Sequence, residues 1–177
     1  MTGMEPAPDL VHLDSSFINF RDFDFGEGSL HGYRWVDGRH FRLPPEVPDD
    51  RAALAALISH PQFRDTYDGA GVQDWPRHGR WWLDRITPDT YEAVDAAAVV
   101  DIIHSWANQH GNVPEPLASR LRREIYAPTR KATGRYLLRQ LPEDAFHDYG
   151  PIHIDYLELV LIDRSAGTLD LLVAADD

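Results

Sequence analysis

Residues 152–163, IHIDYLELVLID, and 168–175, TLDLLVAA, are two apolar runs joined by Arg164-Ser165-Ala166-Gly167, and their reading decides the fold. Apolar runs of this length around a Gly-containing turn predict a β-hairpin. In the first run Leu157, Leu159, Val160, Leu161 and Ile162 put apolar side chains on both faces. A strand with two apolar faces is central and covered twice. One cover is expected from a long helix. The other is expected from a second helix, the N-terminal segment or a partner subunit, so a homodimer enters as an expectation. The hairpin also reads as a domain's natural end, which predicts a full-length chain.

Working outward, a second hairpin is predicted over Leu30 to Leu43, turning at Asp37-Gly38. A three-residue loop, Val36-Asp37-Gly38, sorts the side chains best. It puts Tyr33, Trp35, Phe41 and Leu43 on one face and Arg34, His40 and Arg42 on the other. A helix is predicted from Asp49 or Asp50, with Leu54, Leu57 and Ile58 inward and His60-Pro61 as its stop. The longest helix is predicted over residues 88–110. Thr87 is its N-cap, Pro88 its first residue and Gly111 its C-terminal glycine. A shorter helix follows from Glu115 to Tyr126, with Leu117, Leu121 and Ile125 inward and Pro128 ending it. Gly134 to Leu141 is a candidate strand. Phe17, Phe20, Phe23 and Phe25 mix helical and strand periods and give no assignment.

The fold class predicted is therefore α+β, an antiparallel sheet from N-terminal and C-terminal hairpins with a central helical segment packed on one face. Residues 1–12 carry Gly3, Pro6 and Pro8 and read as a flexible arm, and 13–177 as one globular domain. Met1 to Leu10 has no basic flank and no apolar core, so no secretory signal is expected. With no apolar run near 20 residues and no cysteine, the expected setting is the cytoplasm, not a membrane. The 17 basic residues are all arginine except Lys131, which fits the coding bias of a high-GC bacterial genome.

A formal net charge of −12 disfavours nucleic acid and suits a basic protein partner. The sequence holds no P-loop, G-x-S-x-G, H-E-x-x-H or G-x-G-x-x-G string. Gly69-Ala70-Gly71 reads as a loop. The most distinctive segment is 74–85, where Trp75, Trp81 and Trp82 mingle with Arg77, His78, Arg80 and Arg85. Tryptophan and arginine anchor interfaces and stack on ligand rings. The expected function is accordingly a non-enzymatic module that binds a protein partner or a small ligand through this segment, with no resident cofactor.

The alternative is a small metal-dependent enzyme. His153 and Asp155 are two apart, so on a strand they share a face, and His147 lies in the preceding loop. Imidazoles with a carboxylate suit a divalent metal such as Zn, Mn or Fe(II), and an open position on it would activate water. Glu158 interrupts the apolar strand. A buried carboxylate there has a raised pKa, which would mark a general acid or base, or it has a partner, expected to be an arginine, or a place at the sheet rim. His104 and His110 are six residues apart on a helix, on different faces, and make no metal pair.

Overall fold

The structure is a computed structural model that describes residues 8–27, 33–150 and 153–177. Its centre is a six-stranded antiparallel sheet in the order β1-β2-β8-β7-β6-β5. These strands are β1 (Val11–Asn19), β2 (Arg34–Arg42), β5 (Tyr91–Ala93), β6 (Gly134–Leu138), β7 (Asp155–Asp163) and β8 (Thr168–Asp176). A separate two-stranded ribbon joins β3 (Arg77–His78) to β4 (Trp81–Trp82). The fold is α+β, as the alternation of hairpins and helices predicts.

The β7–β8 hairpin forms as expected, with Asp163 opposite Thr168 and Gly167 in the left-handed region at φ 67°. Ile152, placed at the head of the first run, lies outside the described residues. The second hairpin does not form. Residues 34–42 are one unbroken strand, and Asp37 faces Phe17 on one side and Val173 on the other. Residues 30–32 of its first arm lie outside the described residues. An Asp-Gly pair turns a chain only where no ladder competes, and here β1 and β8 hydrogen-bond it from both sides. Gly38 serves close packing instead, because a Cβ there would sit 2.6 Å from Ser16 Oγ and 3.3 Å from Leu172 Cδ2. Trp35 and Phe41 still share a face, but so do Asp37 and Arg39.

Helices cover both faces of the sheet, not one. Helix α1 (Asp50–Ser59), capped by the Asp49 side chain as predicted, packs Ala53, Leu54 and Leu57 into one core with Phe41, Val160 and Leu171. On the other face, Val99 and Ile103 of α2 (Ala96–Ala107) join Leu117 and Leu121 of α3 (Glu115–Leu121) over Leu159, Leu161 and Leu172. Each such side chain fully buried is worth about 1.5–3 kcal/mol. The doubly apolar β7 is thus covered within one chain, which removes the reason for expecting a homodimer.

Three helix boundaries differ from the prediction, the simplest being the end of α2 at Ala107, capped by Asn108 and not by Gly111. Thr87-Pro88 opens only a 3₁₀ turn, Pro88–Thr90, after which Tyr91 enters β5. Pairing with β6 and burial of Tyr91 at the sheet outweigh the local helical pattern, and α2 starts after Asp95, whose carboxylate accepts the Ala98 N–H at 2.8 Å. Pro128 does not end the helix that starts at Glu115. A π turn, Arg122–Tyr126, widens the coil, and helix continues through α4 (Ala127–Lys131). The chain is ordered earlier than expected too. Strand β1 begins at Val11 and Leu10 is buried, inside the segment read as a loose arm; residues 1–7 lie outside the described residues. No helix among the described residues is long and apolar enough to cross a membrane.

Candidate functional site at a corner of the sheet

The face of the sheet under α1 carries three charged side chains in an otherwise apolar surface. Register places Asp37, Val173 and Glu158 in one cross-strand row, with Arg39 two residues further along β2. Charges taken from water need partners. Both come from the segment 61–86, which crosses this face. Asp65 pairs with Arg39, and His78 Nε2 lies 2.6 Å from Glu158 Oε2.

The second pair is wholly interior, both side chains being 0% exposed. His78 Nδ1 donates to the Phe63 carbonyl, so Nε2 is the nitrogen that faces Glu158. Tyr91 donates to Glu158 Oε1 at 2.5 Å and Tyr156 to Oε2 at 2.8 Å. Burial alone would raise this carboxyl. The His78 charge and the three hydrogen bonds outweigh it and hold Glu158 below its ordinary value. The partner of Glu158 is a histidine, not the expected arginine, and the residue is in the interior, not at the rim. Gly79, at φ 52°, passes so close that a Cβ would be 2.2 Å from the Tyr156 hydroxyl.

Between the Arg39–Asp65 pair and the open corner of β1 and β2 lies a cleft of about 550 Å³. That is within the size range of ligand pockets. Its walls are aromatic: Trp35 stacks on Phe17 at 5.9 Å and on Tyr67 at 5.8 Å. Its polar groups include Asp37, Asp65, Asp68 and Asp177. Trp35 Nε1 and His153 Nδ1 both donate to the Asp177 carboxylate, at 3.1 and 2.7 Å.

Tyr67 is the one described non-glycine residue with positive φ, at 58°. A bulky residue there costs about 1–2 kcal/mol. Asp65 Oδ1 offsets this by accepting the Tyr67 N–H at 2.6 Å in an Asx turn. The Tyr67 hydroxyl, buried within electrostatic reach of Arg39, Asp37 and Glu158, has no hydrogen-bond partner among the described residues, and burial pushes it well above its ordinary pKa. Burial also raises the Asp37 carboxyl, which the Arg39 charge opposes without cancelling.

No protein-family model, curated protein or solved structure matches the chain. Its site therefore rests on geometry.

The residues singled out in 74–85 are divided between interior and surface. Trp81 is buried and stacks on Phe146 at 4.6 Å, and His78 is interior. Arg80 donates to the Gly150 and His153 carbonyls at 3.4 and 3.1 Å. Arg85 pairs with Asp144 on the surface. Arg77 sits 5.4, 5.2 and 5.6 Å from the rings of Trp75, Trp82 and Tyr149, of which Trp75 and Tyr149 are exposed.

The predicted metal ligands do not converge. His147 Nε2 donates to the Gly79 carbonyl at 2.6 Å, while Nδ1 accepts the Tyr149 N–H at 3.0 Å. Both His153 nitrogens face other partners, Asp177 and the Thr66 carbonyl, and Asp155 is half-buried at the head of β7. With the ring nitrogens engaged, neither imidazole has a lone pair to offer. Among the described residues no three His, Asp or Glu side chains form a metal-binding group.

Sequence reasoning passed over Asp65 and Tyr67. The local signal was the string Asp65-Thr66-Tyr67-Asp68-Gly69, whose aspartates two residues before Tyr67 and Ala70 make consecutive Asx turns.

Proposed function

We propose that the protein is a non-catalytic module that binds a small ligand in the Trp35–Tyr67 cleft, with segment 74–85 as the scaffold that holds the cleft wall. The observation that carries this reading is Tyr67, an aromatic residue held in the left-handed region whose ring, with Phe17 and Trp35, walls the cleft. Strain persists where function needs it. The scaffold role follows from contacts. Gly79 N–H donates to the Asp65 carbonyl at 2.7 Å, and His78 stacks on Phe63 at 3.5 Å while binding Glu158. The best candidate for acid–base chemistry, His78 with Glu158, is sealed from any substrate, which favours binding over catalysis.

A second reading keeps the binding surface in 74–85 itself. Exposed Trp75 and Tyr149 around Arg77, which lies 3.6 Å from Asp148, form an aromatic patch with an arginine at its centre, of the type that anchors a protein partner. One experiment separates the two. A fragment set of cations, anions and neutral rings is screened by saturation-transfer NMR against wild type, Phe17→Ala and Trp75→Ala, both side chains being exposed enough to change without unfolding the chain. The cleft reading expects hits lost in Phe17→Ala and kept in Trp75→Ala. The opposite pattern moves the site to the Arg77 patch, and an empty screen removes the small-ligand reading.

A further inference from the structure

We infer that the ligand of this cleft is a small organic cation with an N–H donor, of the amine, amidine or guanidine class. The inference rests on the cleft reading above and adds to it the charge of the occupant.

Three observations carry it. The first is the charge of the lining: Asp37, Asp65, Asp68 and Asp177 face the cleft against Arg21, with Arg39 beneath, a formal −4 against +2 with His153 left aside. Arg21 is turned onto the Tyr33 ring at the mouth, 5.0 Å from its centroid.

The second is a vacancy in the hydrogen bonding of the wall. Asp37 Oδ1 is buried 3.3 Å from Arg39 Nε without a hydrogen bond, and Oδ2 accepts none among the described residues either, although the side chain is only 19% exposed. A nearly buried carboxylate with a free oxygen favours a charged N–H donor over any neutral group, because such a bond is about twice as strong as a neutral one. An anion would meet the same oxygen with repulsion.

The third is the wall itself. Trp35 is stacked between Phe17 and Tyr67, with interplanar angles of 28° and 26°, and Arg39 lies 5.0 Å over the Tyr67 ring, so the exposed Phe17 offers the open aromatic face. Aromatic faces carry negative charge and attract cations, most strongly where water is excluded. They also accept a flat apolar body. Carboxylate and ring faces thus ask for the same ligand: a cationic head on a compact hydrophobic frame.

Benzamidine, benzamide and benzoate share one shape and differ in charge, so calorimetric titration of each tests the inference. Benzamidine is expected to bind wild type, with benzamide weaker by about tenfold or more and benzoate silent. Asp37→Asn is expected to weaken benzamidine by about tenfold, and the exposed rim variant Asp68→Asn by a smaller factor. Asp84→Asn, an exposed acid outside the cleft, should leave binding unchanged. Circular dichroism confirms that each variant is folded, and Asp68→Asn carries the test should Asp37→Asn not fold. Benzamide or benzoate binding as tightly as benzamidine overturns the cation class while the cleft reading stands. Absence of benzamidine binding at millimolar concentration overturns the inference as well, and the fragment screen then decides whether the cleft falls with it. Equal weakening in Asp84→Asn would show a general field effect and also overturn it.

Discussion

Arg39 on β2 and Asp65 on the segment above it form an ion pair beneath the cleft, each only 5% exposed. The second Asp65 oxygen holds the Tyr67 N–H. One carboxylate therefore joins the sheet, the covering loop and the left-handed residue that shapes the cleft wall.

Breaking that pair leaves a buried charge alone. Arg39→Ala is expected to lose about 3–5 kcal/mol of stability in urea unfolding. Asp65→Asn should lose less than Asp65→Ala, because the amide oxygen can still accept from Tyr67. A cost below about 1 kcal/mol for Arg39→Ala would mean that the pair does not hold the segment.

The Glu158 pair makes a pH prediction. Its folded pKa lies below the ordinary value of 4.5, so the carboxylate is favoured in the folded state. The stability it contributes is present above 4.5 and is lost as pH falls through the lower, folded value. Glu158→Gln should be less stable at pH 7 by about 3–5 kcal/mol, since His78 is left buried without its counter-charge. The acid limb of its stability profile, below the ordinary value of 4.5, should be shallower than that of wild type. Parallel profiles would contradict the assignment.

Much of the fold was legible and most of the site was not, for one physical reason. Leu157 to Ile162 and the Arg164–Gly167 turn are local signals, and they formed as read. Asp37-Gly38 was misread because its partners, Ser16, Phe17, Leu172 and Val173, are distant in sequence and decide its conformation. Tyr91 looked helical until Glu158, 67 residues away, took its hydroxyl. Likewise, His78 and Glu158 each stood out in the sequence, but 80 residues separate them and no pattern joins them. His147 and His153 looked like ligands because their backbone partners, Gly79 and Thr66, carry no side-chain signature.

Asp37 should behave as a residue kept for binding at the expense of stability. Its folded pKa is raised above 3.8, so its ionised form is disfavoured in the folded protein. That penalty is present at neutral pH and disappears as pH falls through the raised value. Asp37→Asn should therefore raise the Tm at pH 7 while weakening cation binding, with the gain fading in acid. A lower Tm at pH 7 would show that its contact with Arg39 dominates.

Gly79→Ala should destabilise more than Gly38→Ala. At Gly79 the new Cβ meets the Tyr156 ring and hydroxyl at φ 52°, which combines backbone strain with a push on the Glu158 cluster. At Gly38 the nearest atom is the Ser16 hydroxyl, which can rotate away, so about 1–3 kcal/mol is expected. Thermal unfolding of both, with Ser16→Ala as a partial rescue of Gly38→Ala, checks the order.

The most direct test of the central claim maps where benzamidine binds. In a ¹H–¹⁵N correlation spectrum the Trp35 indole, hydrogen-bonded to Asp177, and the amides of Tyr67, Gly69 and Gly71 report on the cleft. The Trp75 and Trp82 indoles and the Tyr149 amide report on the Arg77 patch. Saturable shifts confined to the first group are predicted. Shifts confined to the second group, or none at saturating benzamidine, would contradict the account.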